Sequence, residues 1–216
     1  MSSLASENHT AIMVDDLSVS YGSTLVLDQL SLRVPVGSAY ALVGENGAGK
    51  STLLRCVAGL QEPTGGEIRV FSEPPGRTVG FWRRVATTVE SPSWYHGLTV
   101  REHLDLVRVA NGADANDGHI DEVSASLGLD GLQNSLPSTL SSGQRQRFLL
   151  TAMLVRPSRL LILDEPEQRL DHSIKRAVAA HLRAYVTAGG TLLMASHDEG
   201  FLTAVGATPV AVGGFR

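Results

Sequence analysis

Gly44-Glu45-Asn46-Gly47-Ala48-Gly49-Lys50-Ser51 satisfies the pattern G-x-x-x-x-G-K-[ST] in full. Such a turn needs a buried strand before it and a helix after it, and both are legible. Ala39–Val43 is a nearly continuous apolar run that reads as a central strand. Leu53, Leu54, Val57 and Leu60 fall on one face of a helix expected over Lys50–Leu60. Glycine lets backbone N–H groups wrap a phosphate without a Cβ in the way. The helix adds its unpaired N-terminal N–H groups and the positive end of its dipole. The expected nucleotide contacts are therefore Gly44, Glu45, Asn46, Gly47, Ala48, Gly49, Lys50, Ser51 and Thr52. Lys50 is placed to reach the β- and γ-phosphates, and the Ser51 hydroxyl to ligate Mg2+.

A second apolar strand, Leu160-Leu161-Ile162-Leu163, ends in Asp164-Glu165. A carboxylate at that end suits Mg2+ coordination, which assigns Asp164 to the metal beside Ser51. Glu165 then stands where a carboxylate can orient and deprotonate a water attacking the γ-phosphate.

The rest of the chain fits one α/β unit with an insertion. Residues 11–43 divide into the short β-rich pieces Ala11–Val19, Leu25–Val34 and Ala39–Val43, and Glu67–Phe71 and Val85–Val89 read as further strands. Between about Thr99 and Val155 the pattern becomes helical, with Thr99–Val109 and Ile120–Leu127 as amphipathic segments and Asn111–Gly118 as a loop. Strand and helix alternate again after Pro157, through Leu160–Leu163, Ser173–Val186 and Thr191–Ala195. Expected boundaries are about 11–90 and 157–216 for the core with its β-subdomain, and about 91–156 for the helical subdomain.

Composition excludes several classes. With 43% apolar and 19% charged residues, the chain is no disordered tail. A formal charge of -4 leaves no basic surplus for coating nucleic acid. The lone Cys56 allows no internal disulfide and fits a reducing cytosol. Met1–Thr10 is polar, lacks Lys and Arg, and does not read as a secretory signal. No run approaches the roughly 20 apolar residues of a membrane helix.

Between the two phosphate-directed motifs lies Leu140-Ser141-Ser142-Gly143-Gln144-Arg145-Gln146-Arg147, opening a helix expected to be amphipathic. Here the chain resembles the nucleotide-binding domain of ABC transporters, whose signature is LSGGQ. The resemblance covers nearly the whole chain, with the motifs in the family's order. It implies a P-loop NTPase core, an N-terminal antiparallel β-subdomain and an inserted helical subdomain. It also implies an ATPase whose two cassettes, identical or different, sandwich two ATPs head to tail. Ser141, Gly143 and Gln144 would then contact the γ-phosphate held by the opposite subunit, while Ser141 also reads as a helix N-cap. Tyr21 matches the aromatic residue that stacks on adenine, and His197 the switch histidine that hydrogen-bonds the γ-phosphate. Asp171, in Arg169-Leu170-Asp171, matches the D-loop acid and equally suits capping the next helix.

The chain departs from the family pattern at two places. Ser142 replaces the first signature glycine and lacks its conformational freedom. Glu90 stands where the family usually has a glutamine that ligates Mg2+ and senses the membrane partner; a carboxylate is also a hard oxygen ligand. The segment Glu90–Val100 is similar to bacterial peptide-antibiotic export and immunity cassettes, which favours export over import. The resemblance implies a separate transmembrane subunit, peripheral attachment at the inner face of the cell membrane, and a docking groove near Glu90–His96 in which Trp94 and Tyr95 are expected to be exposed. The rival reading is a soluble ABC ATPase acting on ribosomes or DNA. A single cassette without a long insert, and acidic overall, speaks against it.

Overall fold

The computed structural model describes residues 9–90, 94–115 and 118–213. Ser91, Pro92 and Ser93 of the Glu90–Val100 segment, part of the Asn111–Gly118 loop and most of Met1–Thr10 lie outside the described residues.

Two sheets carry the fold. β1 (Thr10–Tyr21), β2 (Thr24–Pro35) and β4 (Gly65–Val70) form an antiparallel sheet in the order β2-β1-β4. β3 (Ala39–Val43), β5 (Val85–Thr87), β6 (Leu160–Asp164), β7 (Thr191–Ala195) and β8 (Thr208–Ala211) form a parallel sheet in the order β5-β6-β7-β3-β8. The expected division into a parallel core and a separate antiparallel sheet is thus observed.

Period-two alternation makes the parallel sheet a wall shared by two cores. Leu160 and Ile162 of β6 and Leu193 and Ala195 of β7 face one side. There they meet Leu53, Leu54 and Val57 of α1 (Lys50–Val57), together with Ile12, Val14 and Leu17 of β1. Leu161, Leu163, Leu192 and Met194 face the other side, with the helical layer. Buried on both faces, these strands are apolar except for Asp164 at the end of β6 and Thr191 at the start of β7, which is why they read as continuous apolar runs.

The helical layer consists of α3 (Val100–Ala110), α4 (His119–Ser126) and α5 (Ser142–Val155), with α6 (His172–Thr187) packed against α5. Thr99 starts α3 with a reciprocal capping box to Glu102. The expectation of an amphipathic α5 is corrected. Phe148 and Leu150 point to different sides yet are both buried, because α3, α4 and α6 surround the helix. Four of the described elements were not read from sequence: α2 (Val79–Arg84), the 3-10 turn Pro137–Thr139, α7 (Glu199–Val205) and β8.

Trp94 also differs from expectation. Its ring stacks on Phe148 with centroids 4.4 Å apart and meets His103 edge-on at 5.7 Å, so it belongs to the helical core. Tyr95, 66% exposed, does face outward.

Candidate functional site

All the parallel strands end at one edge, and the chemistry-bearing residues follow those ends: Gly44–Gly49 after β3, Thr88–Glu90 after β5, Glu165 after β6 and Ser196–Asp198 after β7. In open α/β sheets this carboxyl edge is where ligands bind.

The β3–α1 loop is held in a shape only glycine permits at two positions. Gly44 has φ 151°, and a Cβ there would lie 2.3 Å from the Val212 carbonyl oxygen. Gly49 has φ 93°, and a Cβ would lie 2.6 Å from Leu27 Cδ2. Gly49 is the N-cap of α1 and offers no side-chain cap, so the first N–H groups of the helix stay available to an anion. Lys50 is 7% exposed, and its Nζ donates to the carbonyls of Gly44 at 2.7 Å and Glu45 at 2.9 Å. The ammonium therefore sits in the hollow of the loop, while Glu45, Asn46 and Gly47 form its exposed crown. Ser51 is exposed in the first turn of α1, next to half-buried Thr52. Tyr21, exposed at the end of β1, pairs with Thr24 across a turn and donates its hydroxyl to Gln61 Oε1 at 2.7 Å. The β2 residues Val26 and Leu27 that follow this turn wall Gly49.

Beyond the ends of β5 and β6 lies a cavity of about 280 Å3 lined by Glu90, Asp164, Glu165, Gln146, Gln168 and Arg169, among others. The structure thereby brings the three predicted acids together. Thr88 Oγ1 accepts the Asp164 N–H at 3.1 Å and fixes the end of β6. Glu165 has φ 47°, a left-handed conformation that costs a non-glycine residue about 1–3 kcal/mol and recurs at functional sites. Its N–H is held by the Ala195 carbonyl at 3.0 Å. Its carboxylate meets His197 Nε2 at 3.3 Å and accepts a hydrogen bond from Gln168 Nε2. A carboxylate touching an imidazole at a strand end can take up a proton and hold it near the same spot.

Among the described residues, no group of three or more His, Cys, Asp or Glu is arranged to hold a metal alone. Hard carboxylate oxygens lining one cavity nevertheless fit Mg2+, which keeps several ligands from water and phosphate and takes only one or two from protein.

The tip of α5 is built differently. Ser141 Oγ accepts the Gln144 N–H at 3.2 Å, and Gln144 Oε1 accepts the Ser141 N–H at 2.8 Å. Ser141 and Ser142 are exposed, and Gly143 lies against the Arg169 carbonyl. Ser142 is the first helical residue and does not have positive φ, so serine fits the backbone where glycine freedom had been expected to matter. Ser141, Gly143 and Gln144 make no hydrogen bond to the Gly44–Gly49 loop among the described residues.

The ABC transporter family model matches residues 27–168, which hold the phosphate loop, the Ser141 tip and the acid pair. The chain belongs to the ABC transporter family of ATP-binding domains. It is 35% identical over 190 residues to the cytochrome c biogenesis ATP-binding export protein CcmA of Rhodobacter capsulatus, covering 88% of this chain and 82% of that protein. It is 32% identical over 198 residues to the sulfate/thiosulfate import ATP-binding protein CysA of Synechocystis, covering 90% of this chain and 52% of the relative. The chain thus spans about half the length of the import proteins it matches. A solved ATP-binding subunit of an ABC transporter superposes with TM-score 0.83 at 27% identity, covering 94% of this chain and 86% of that one. A dimeric ATP-binding cassette bound to ADP and Pi shares the fold at TM-score 0.80 and 20% identity, with 94% of each chain covered.

In this ABC domain Asp171 accepts the Ile174 N–H at 3.0 Å and caps α6, the structural alternative noted for it. Sequence reading missed Thr88, Glu167 and Gln168, and gave Arg169 no role of its own within Arg169-Leu170-Asp171. The signal for Glu167 and Gln168 was their position just after the acid pair.

Proposed function

We propose that this ABC domain hydrolyses ATP between two cassettes and passes the resulting motion to a separate membrane-spanning partner. The observation that carries the reading is the convergence at one sheet edge of an open phosphate loop, a cavity with three carboxylates and the Glu165–His197 contact. Gly44 to Thr52 hold the phosphates, with Lys50 moving from the loop carbonyls to the β- and γ-phosphate oxygens. Tyr21 stacks on the adenine. Ser51, Asp164 and Glu90 hold Mg2+, which when bound neutralises phosphate charge. Glu165 takes the proton from the attacking water, and His197 holds the γ-phosphate side of the reaction. Ser141, Gly143 and Gln144 of the opposite cassette close over the same phosphate; the exposed, self-capped α5 tip supports this.

No helix among the described residues is long and apolar enough to cross a membrane. In this reading the membrane-spanning part is a separate chain, through which the domain attaches at the inner face of the cell membrane. Export is the proposed direction. The extent of the match to an export relative, 82% of its length, and the character of Glu90–Val100 support it. The test is co-purification in mild detergent with ATPase measured on the recovered complex. A polytopic membrane protein should accompany the chain and stimulate its ATPase. Recovery of the chain alone, with ATPase unmoved by membranes but raised by RNA or DNA, would overturn the transport reading.

A further inference from the structure

Glu167 is 5% exposed, two residues beyond Glu165, and no step above uses it. Its Oε1 accepts the Ser196 hydroxyl at 2.5 Å and, more weakly, the His197 N–H at 3.4 Å. Its Oε2 is buried with no hydrogen-bond partner among the described residues. Ser196 is fully buried, and its Oγ in turn accepts the Asp198 N–H at 3.2 Å. Asp198 caps α7 through the Phe201 N–H at 3.0 Å and pairs with Lys175 of α6 at 2.9 Å. The loop carrying His197 is thus tied to α6 at one end and to Glu167 at the other.

Burying a carboxyl with one oxygen unsatisfied is costly, and a core position seldom keeps one without a use. The geometry supplies the use. The loop after β6 and the loop after β7 meet twice: through Glu165 Oε1 and His197 Nε2 at 3.3 Å, and through Glu167 Oε1, which accepts the Ser196 hydroxyl and the His197 backbone N–H. The first contact is between exposed or half-buried side chains that must shift during the reaction. The second is buried and sets where His197 starts from. We infer that Glu167 is a positioning residue for ATP hydrolysis, holding the Ser196–His197 turn so that the imidazole faces Glu165. Its role is indirect, exerted through Ser196 and His197.

The inference rests on the reading of Glu165 and His197 given above, and steady-state ATPase assays with separate ATP-binding measurements on the full chain distinguish the two. Loss of activity in Glu165→Gln establishes that reading first; parent activity in that variant would sink it independently of Glu167. Glu167→Ala should lower kcat about 10-fold or more with KM for ATP within about 3-fold of the parent. Glu167→Gln keeps an acceptor oxygen for Ser196 and should restore kcat to within about 3-fold. Ser196→Ala should lower kcat in the same direction, and the Glu167→Ala/Ser196→Ala pair should fall no further than Glu167→Ala alone. If Glu167→Ala does not fold, Ser196→Ala alone decides by the same kcat and KM criterion. A lowered Tm with unchanged kcat, or a Glu167→Gln as impaired as Glu167→Ala, would show a merely structural carboxyl and overturn the inference.

Discussion

Two helix starts in this molecule are proposed to meet phosphate, and they are made in opposite ways. α1 begins at a left-handed glycine with no side-chain cap, and a lysine is folded back into the hollow beside it. α5 begins at a serine whose hydroxyl and the Gln144 amide cap one another, leaving a finished, exposed tip. The first start is incomplete without an anion. The second is complete already and is suited to being presented to another molecule. Binding should therefore depend on α1 within one chain, and hydrolysis on α5 only once two chains meet.

The sharpest test of this division lies between the two helices. Glu165→Gln should leave ATP binding intact while lowering kcat about 10²–10⁴-fold, the range expected for a general base. The variant should also shift to a dimer on size exclusion when ATP is added; unchanged hydrolysis would return attention to Asp171 and His197. Next in size, Lys50→Ala removes the cation from the α1 hollow. A loss of about 10–100-fold in ATP affinity by titration calorimetry is expected, roughly 1.4–2.7 kcal/mol, and undiminished affinity would break the comparison from the α1 side. At the other helix, Ser141→Ala should cost about 1 kcal/mol of stability through the lost cap. Single-chain ATP affinity should hold while ATPase falls with the weakened dimer. A fall in single-chain affinity would mean that α5 contributes within one chain.

The smallest effect concerns Cys56, buried on α1. Burial, with a contribution from Glu62, pushes its thiol up from 9.0 to about 11. The folded state keeps this proton while the unfolded chain releases it near pH 9, so the associated stability declines as pH rises from 9.0 toward about 11. Iodoacetamide labelling at pH 8.5 should be slow in the folded protein, with or without ATP. Rapid labelling would place α1 in a looser setting than the fold implies.

The phosphate loop, its flanking strand and helix, and the Asp164–Glu165 pair were legible because each is local: a spacing of glycines, or an apolar run with a charged end. β1 to β3 were legible for the same reason. α2 was not, because Val79–Arg84 is six residues held by the Thr78 cap and by burial of Phe81, a long-range contact. β8 is four residues with Pro209 inside it, tolerable because β8 is an edge strand paired only with β3. Trp94 looked exposed in a polar stretch, and the ring it stacks on, Phe148 of α5, lies 54 positions away. Glu167 was not singled out in the sequence. Its burial depends on β7 lying beside β6, which the order of elements along the chain does not reveal.

The strand that ends in Asp164 and Glu165 contributes alternate side chains to the two cores. A slip of one residue along β6 would send Leu161 and Leu163 under α1 and Leu160 and Ile162 under the helices, upsetting both layers at once. The acid pair is thereby riveted through two plates. In the proposed cycle, loops rearranging around a nucleotide would pivot about this fixed pin, and any displacement handed on to a partner would be measured from it.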